Sequence, residues 1–140
     1  CVAELVPMLT AGGSVGIIAT RATLAGRIFD APLMKAGYTL VPPDDGAMDQ
    51  WVLPGIALVK AGQTLQAAVL IEKAVQSLLQ RGADAVVLAC TETPVALDAV
   101  ESPLRAKCVD STAALARACL AWWQANRLEQ AAHLAPAMPG

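Results

Sequence analysis

The chain is predicted to fold as an α/β domain, a parallel β-sheet flanked by helices, and three observations carry that prediction. Two strand-length apolar runs, Val15-Gly16-Ile17-Ile18-Ala19 and Ala85-Val86-Val87-Leu88-Ala89, lack the polar alternation of a half-exposed strand. That is the pattern of strands buried on both faces. Each run passes through a short polar turn into a helical pattern, the βα unit of a parallel sheet. Finally, 140 residues suit one domain with its own core, and 56% hydrophobic against 16% charged residues suits packed sheet and helix rather than disorder.

Residues 1–9 read as a short helix with Val2, Leu5, Val6 and Leu9 on one face, stopped by Gly12-Gly13. A buried strand over 14–20 follows, then the polar turn Thr20-Arg21-Ala22-Thr23 and a helix over 24–36 closed by Gly37. Tyr38-Thr39-Leu40-Val41 is the next strand, broken by Pro42-Pro43-Asp44-Asp45-Gly46. Residues 47–61 make an irregular helical segment, interrupted at Pro54-Gly55 and ending at Lys60-Ala61-Gly62. Thr64 precedes an amphipathic helix with Leu65, Ala68, Val69, Glu72, Val75, Leu78 and Leu79 at helical spacing, stopped by Gly82. The apolar run 85–89 comes directly after it.

Past Pro94 a short helix runs to residue 100 and ends at Glu101-Ser102-Pro103, and residues 106–109 form a last short strand. Asp110-Ser111-Thr112 caps a final helix over 113–125, whose Trp122 and Trp123 are an apolar end for the core or for an interface. The expected division is therefore a leading helix over 1–13 that continues an upstream segment, an α/β lobe with its C-terminal helix over 14–127, and a frayed tail over 128–140.

Composition narrows the function classes. A net charge of −2 without a Lys/Arg cluster argues against nucleic acid. No run reaches the roughly 18 uninterrupted apolar residues of a membrane span, so the chain is read as soluble. Cys1, Cys90, Cys108 and Cys119 contain no CxxC pair, and the single histidine, His133, lies in the tail, so no zinc site is expected. Long spacings in a chain that can build a core leave reduced thiols, and hence the cytoplasm, as the simplest reading.

The chemistry centres on Cys90-Thr91-Glu92. With Pro94 at the first helical position and Thr93 as N-cap, these three residues form the loop at the carboxyl end of a strand, where open α/β sheets hold ligands. A helix N-terminus there would lower the Cys90 pKa and make its thiolate available near neutral pH, more so than for Cys108 or Cys119.

Several stretches together resemble the second half of the cofactor-independent aspartate/glutamate racemase family. They are the segment 15–23 ending in Thr20-Arg21-Ala22-Thr23, Val41-Pro42 with Asp44, Lys60-Ala61-Gly62, Gly82-Ala83-Asp84 through Cys90-Thr91-Glu92, and Val109-Asp110-Ser111-Thr112. The resemblance implies one lobe of a two-lobed fold, each lobe giving one acid/base residue to a shared cleft. It implies racemisation of aspartate or glutamate by two-base transfer of the Cα proton, without pyridoxal phosphate and without metal.

By that resemblance Cys90 is the second lobe's acid/base, and Thr91, Glu92, Thr20, Thr23 and Lys60 contact the substrate, Lys60 as the cation for a carboxylate. Such donors fit a reaction that builds negative charge beside a carboxylate. Ala22 stands where the family commonly has Gly, and no glycine-rich opening strand with a second cysteine in an Asn-Thr setting is present. The 140-residue chain alone is therefore expected to be inactive, with the opposing residue supplied by a missing N-terminal lobe or approximated by a homodimer. The related activities on similar scaffolds are hydantoin racemisation, maleate isomerisation and arylmalonate decarboxylation. The competing class is a non-catalytic module that binds a small carboxylate or simply associates.

Overall fold

The structure, a computed structural model, describes residues 1–9 and 12–134. Strands β1 (Ser14–Ile18), β2 (Thr39–Val41), β3 (Ala85–Leu88) and β4 (Cys108–Asp110) form one parallel sheet in the order β2-β1-β3-β4. The two apolar runs are the central strands, in register from Val15 opposite Ala85 to Ile18 opposite Leu88. Asp84 closes the start of this pair: its carboxylate accepts the Ser14 N–H at 2.8 Å while its own N–H donates to the Ser14 carbonyl at 2.8 Å.

β3 is buried at every residue, and its side chains divide between two cores. Val86 and Leu88 face helix α6 (Thr64–Gln80) and its neighbours, with Ile71, Val75 and Leu78. Ala85 and Val87 face the other way, with Leu5 of α1 (Val2–Leu5) and Leu33 of α3 (Asp30–Lys35). This two-sided burial is why the run has no polar alternation. Under α6 the sheet is approached closely: a Cβ on Gly16 would lie 3.1 Å from Leu78 Cβ.

The helix expected over 24–36 is two pieces, α2 (Arg21–Ala25) and α3, separated at Gly26 and at Arg27, which has φ 51. Pro32 is the reason. It has no N–H to give a helix interior, so the helix restarts at Asp30 and places Pro32 in its first turn. The irregular segment after β2 consists of α4 (Asp45–Ala47), a π-helical stretch (Met48–Val52) and α5 (Leu53–Lys60), with Pro54 again in a first turn.

The buried stripe of α6 is Ala67, Ala68, Ile71, Ala74, Val75 and Leu78, while Leu65 and Val69, expected on that stripe, are 65% and 53% exposed. α5 comes very near this stripe: a Cβ on Gly55 would stand 2.7 Å from Ile71 Cδ1.

A 3₁₀ helix (Pro103–Lys107) precedes β4, which starts later in the chain than the composition suggested. Helix α8 (Ser111–Leu134) starts at once, with the Asp110 carboxylate accepting the N–H groups of Thr112 and Ala113 at 2.8 and 3.1 Å. It reaches Leu134, inside the tail expected over 128–140; the rest of that tail, with Pro136 and Pro139, lies outside the described residues. Ala114 packs on the sheet, but Leu115, Leu120, Trp122 and Trp123 are exposed. Among the described residues no helix is long and apolar enough to cross a membrane.

Candidate active site

The carboxyl edge of the central strands carries the polar residues. The Ala89 N–H donates to the Ile18 carbonyl at 2.8 Å, so Cys90 and Thr20 leave the ends of adjacent strands. Ser111 adds a third contribution from β4's end, its hydroxyl donating to the Leu88 carbonyl at 2.9 Å.

After Cys90 the chain turns into α7 (Glu92–Asp98) earlier than expected. Thr91 occupies the N-cap position without a side-chain cap, and Thr93 is the second helical residue, completely buried, rather than the cap. The turn closes on the Cys90 carbonyl, which accepts both the Thr93 N–H at 3.2 Å and the Thr93 hydroxyl at 2.9 Å. Pro94 still falls in the first turn, where its missing N–H costs nothing.

One carboxylate gathers the site. The Cys90 thiol donates to Glu92 Oε2 at 2.9 Å, and the Thr91 hydroxyl donates to the same oxygen at 2.9 Å. Lys60 Nζ, at the end of α5, stands 3.8 Å from Glu92 Oε1. The Glu92 side chain is 19% exposed and that of Lys60 64%, so the cation remains open to an incoming anion. The hydrogen bond from Cys90 holds Glu92 below the ordinary carboxylate range, with smaller help from Thr91 and Lys60.

Cys90 responds in the opposite sense. Partial burial first, and the bond to Glu92 second, push its thiol up to about 11. The expected thiolate near neutral pH is therefore not what the folded chain holds: desolvation and a neighbouring negative charge both favour S–H. Cys90 rests as a thiol, the proton-donating form. Cys108 is also a thiol, pushed up to about 12 by burial, and it donates to the Leu104 carbonyl at 3.3 Å.

Thr20 and Thr23 form a separate cluster at the end of β1. Thr20 caps α2, accepting the Thr23 N–H at 3.3 Å, and the two hydroxyls share a hydrogen bond of 3.0 Å. Arg21 between them is drawn outward to Asp45 and Asp49, at 3.1 and 2.7 Å. Among the described residues no group of His, Cys, Asp and Glu is placed to hold a metal ion.

Residues 2–119 match the Asp/Glu/hydantoin racemase family. The chain belongs to that family. It is also 31% identical over 109 residues to an uncharacterised protein in the pnlA 3′ region of Pectobacterium carotovorum subsp. carotovorum, a match covering 78% of this chain and 72% of the relative.

Within this member of the racemase family, the structure brings Cys90, Thr91, Glu92 and Lys60 into one network. Thr20 and Thr23 join it only through the shared sheet edge, with their hydroxyls turned to each other. Two further residues at that edge do not stand out as site residues in the sequence. Thr93 carries the signal of a polar residue between a strand end and an apolar helix, but that signal reads equally as a cap. Ser111 has no separate signal, because it belongs to a capping triplet whose Asp110 does the capping.

Proposed function

We propose that this chain carries the Cys90 half of a two-base racemase for aspartate or glutamate, acting in the cytoplasm without pyridoxal phosphate. The observation that supports this reading best is the Cys90 thiol hydrogen-bonded to Glu92 at the carboxyl edge of the sheet, with Lys60 on the far oxygen of the same carboxylate. In that state Cys90 is the acid: it delivers its proton to one face of a substrate carbanion. For the reverse direction the thiolate takes the Cα proton back, so one residue serves both directions on one face.

Lys60, open to solvent, pairs with a substrate carboxylate, which favours an acidic amino acid over an uncharged hydantoin. Thr20 and Thr23, whose two hydroxyls share one hydrogen bond, keep one donor proton for it, and Thr91 donates to it on releasing Glu92. The negative charge of Glu92 beside Cys90 raises the cost of forming the thiolate, and a bound substrate ammonium or Lys60 offsets that cost. The proton on the opposite face requires a second acid/base, which we assign to a partner lobe; D-product from the 140-residue chain alone would move that assignment to a second copy.

The test is incubation with L-aspartate or L-glutamate in D₂O, read by chiral chromatography and mass. The 140-residue chain alone is expected to give no D-enantiomer, and addition of a complementary family lobe is expected to give D-product that Cys90→Ala abolishes. Racemisation that survives Cys90→Ala would defeat the reading. A second reading, an association module, draws on the exposed Leu120, Trp122 and Trp123 of α8. It predicts no turnover with any lobe but a concentration-dependent mass in sedimentation.

A further inference from the structure

We propose that Thr93 is a positioning residue for the Cys90 thiol, its buried hydroxyl fixing the Cys90 carbonyl and thereby aiming Sγ at Glu92. The proposal rests on Cys90 being the acid/base residue of the site, and it adds a residue that does not touch the substrate.

The argument begins with what a hydroxyl costs. Thr93 is completely buried, beside the buried Pro94, Ala96 and Leu97 of its own helix. A valine has the same shape and would bring no polar group to desolvate, so packing alone does not call for an oxygen here. The oxygen is used: it donates at 2.9 Å to the Cys90 carbonyl, which also accepts the Thr93 N–H at 3.2 Å. Both lone pairs of that carbonyl are engaged by one residue. With the preceding residue Ala89 pinned to Ile18 by its N–H, the backbone on both sides of Cys90 is tied down.

A fixed backbone leaves Cys90 only its χ1 rotation, and the 2.9 Å contact to Glu92 Oε2 selects one rotamer. Glu92 is itself held, by the Thr91 hydroxyl at 2.9 Å and by Lys60 at 3.8 Å. Residues 91, 92 and 93 thus grip one thiol from two ends, the sulfur through the carboxylate and the main chain through Thr93. Releasing the main-chain end lets the sulfur leave Glu92 and meet water, and both changes ease deprotonation.

Iodoacetamide alkylation of Cys90 against pH, read by peptide mass, tests this in the chain as it stands and needs no turnover. Thr93→Val is expected to lower the pH midpoint of alkylation by about one unit, while Thr93→Ser, which keeps the oxygen, stays at the parent value. In a Glu92→Gln background the valine substitution is expected to produce less than half of that shift, because the carboxylate it acts through is gone. A valine variant that does not fold is replaced by Thr93→Ala, for which the same outcomes hold. A parent-like midpoint for Thr93→Val overturns the proposal, as does a serine variant that shifts like valine or an undiminished shift in the Glu92→Gln background. The racemisation assay fails or succeeds independently, so loss of this proposal and loss of the racemase reading are distinguishable.

Discussion

Helices α6 and α8 are the two longest helices among the described residues, both rich in alanine and leucine, and they end up in opposite situations. α6 buries Ala67, Ala68, Ile71, Ala74, Val75 and Leu78 between the sheet and α5. α8 buries Ala114 near its start, and Leu115, Leu120, Trp122 and Trp123 then face water. Apolar content therefore sets how much surface a helix offers for burial, and the neighbouring element decides whether it is buried. α5 supplies that neighbour for α6 through Gly55; the described residues supply none for the distal part of α8.

The contrast is broken most forcefully from the α6 side. Ile71→Ala removes a completely buried side chain touching both the sheet side and α5, and is expected to cost about 2–5 kcal/mol in urea unfolding. Gly55→Ala attacks the same contact by overpacking, with an expected loss of about 1–3 kcal/mol as Ile71 is driven from a Cβ 2.7 Å away. If both substitutions were neutral, the close approach of α5 and α6 would not be what stabilises this face.

Thiols give a second measure of the contrast. The folded pKa of Cys108 lies near 12 and that of Cys90 near 11, both raised above the 9.0 of a free thiol. Raised folded values mean that their contribution to stability is whole below pH 9 and is lost as pH climbs through 11 and 12. Thermal unfolding followed from about pH 8 upward should show a falling Tm above about pH 9, and Cys108→Ala should flatten that fall. Alkylation of the native chain at neutral pH should label exposed Cys119 first and Cys108 last, with Cys90 between them.

The smallest effect is expected on α8. Trp122→Ala, at a side chain 67% exposed, should change the stability of this chain by no more than about 0.5 kcal/mol in urea unfolding. A loss of several times that size would show that the tryptophan is covered in solution and would remove the contrast.

Much of this architecture was legible because apolar runs and turn residues report local burial. The strands 15–18 and 85–88, the glycine stops at Gly37, Gly62 and Gly82, and the helix after Thr64 follow from such signals. The split at Arg27 was also available, in Pro32, but an apolar period running across it concealed the break. Ala68, Val75 and Leu78 were legible on the buried face of α6, but that Ile71 lies there while Leu65 and Val69 do not was not, since Ile71 packs on a glycine of another helix.

At the site, Cys90-Thr91-Glu92 with Lys60 was visible as a family pattern, and the structure joins them through Glu92. The state of the sulfur was not. The pull of a short helix on a thiol is a local quantity, whereas desolvation and a carboxylate at 2.9 Å depend on how the turn folds back.

The order β2-β1-β3-β4 also governs how the chain reaches this state. Its central pair joins Val15 to Ala85, and the bond from Ser14 to Asp84 spans 70 positions. Closing a loop of that length costs entropy before any pairing repays it, and α6 must already lie within the loop to cover the new ladder. Folding is therefore expected to be slow for a domain of this size, with Asp84→Ala acting mainly on the refolding rate in stopped-flow measurements. Until that closure, both apolar strands are bare edges in search of any partner, and their neighbours in a crowded solution are other copies of the same chain.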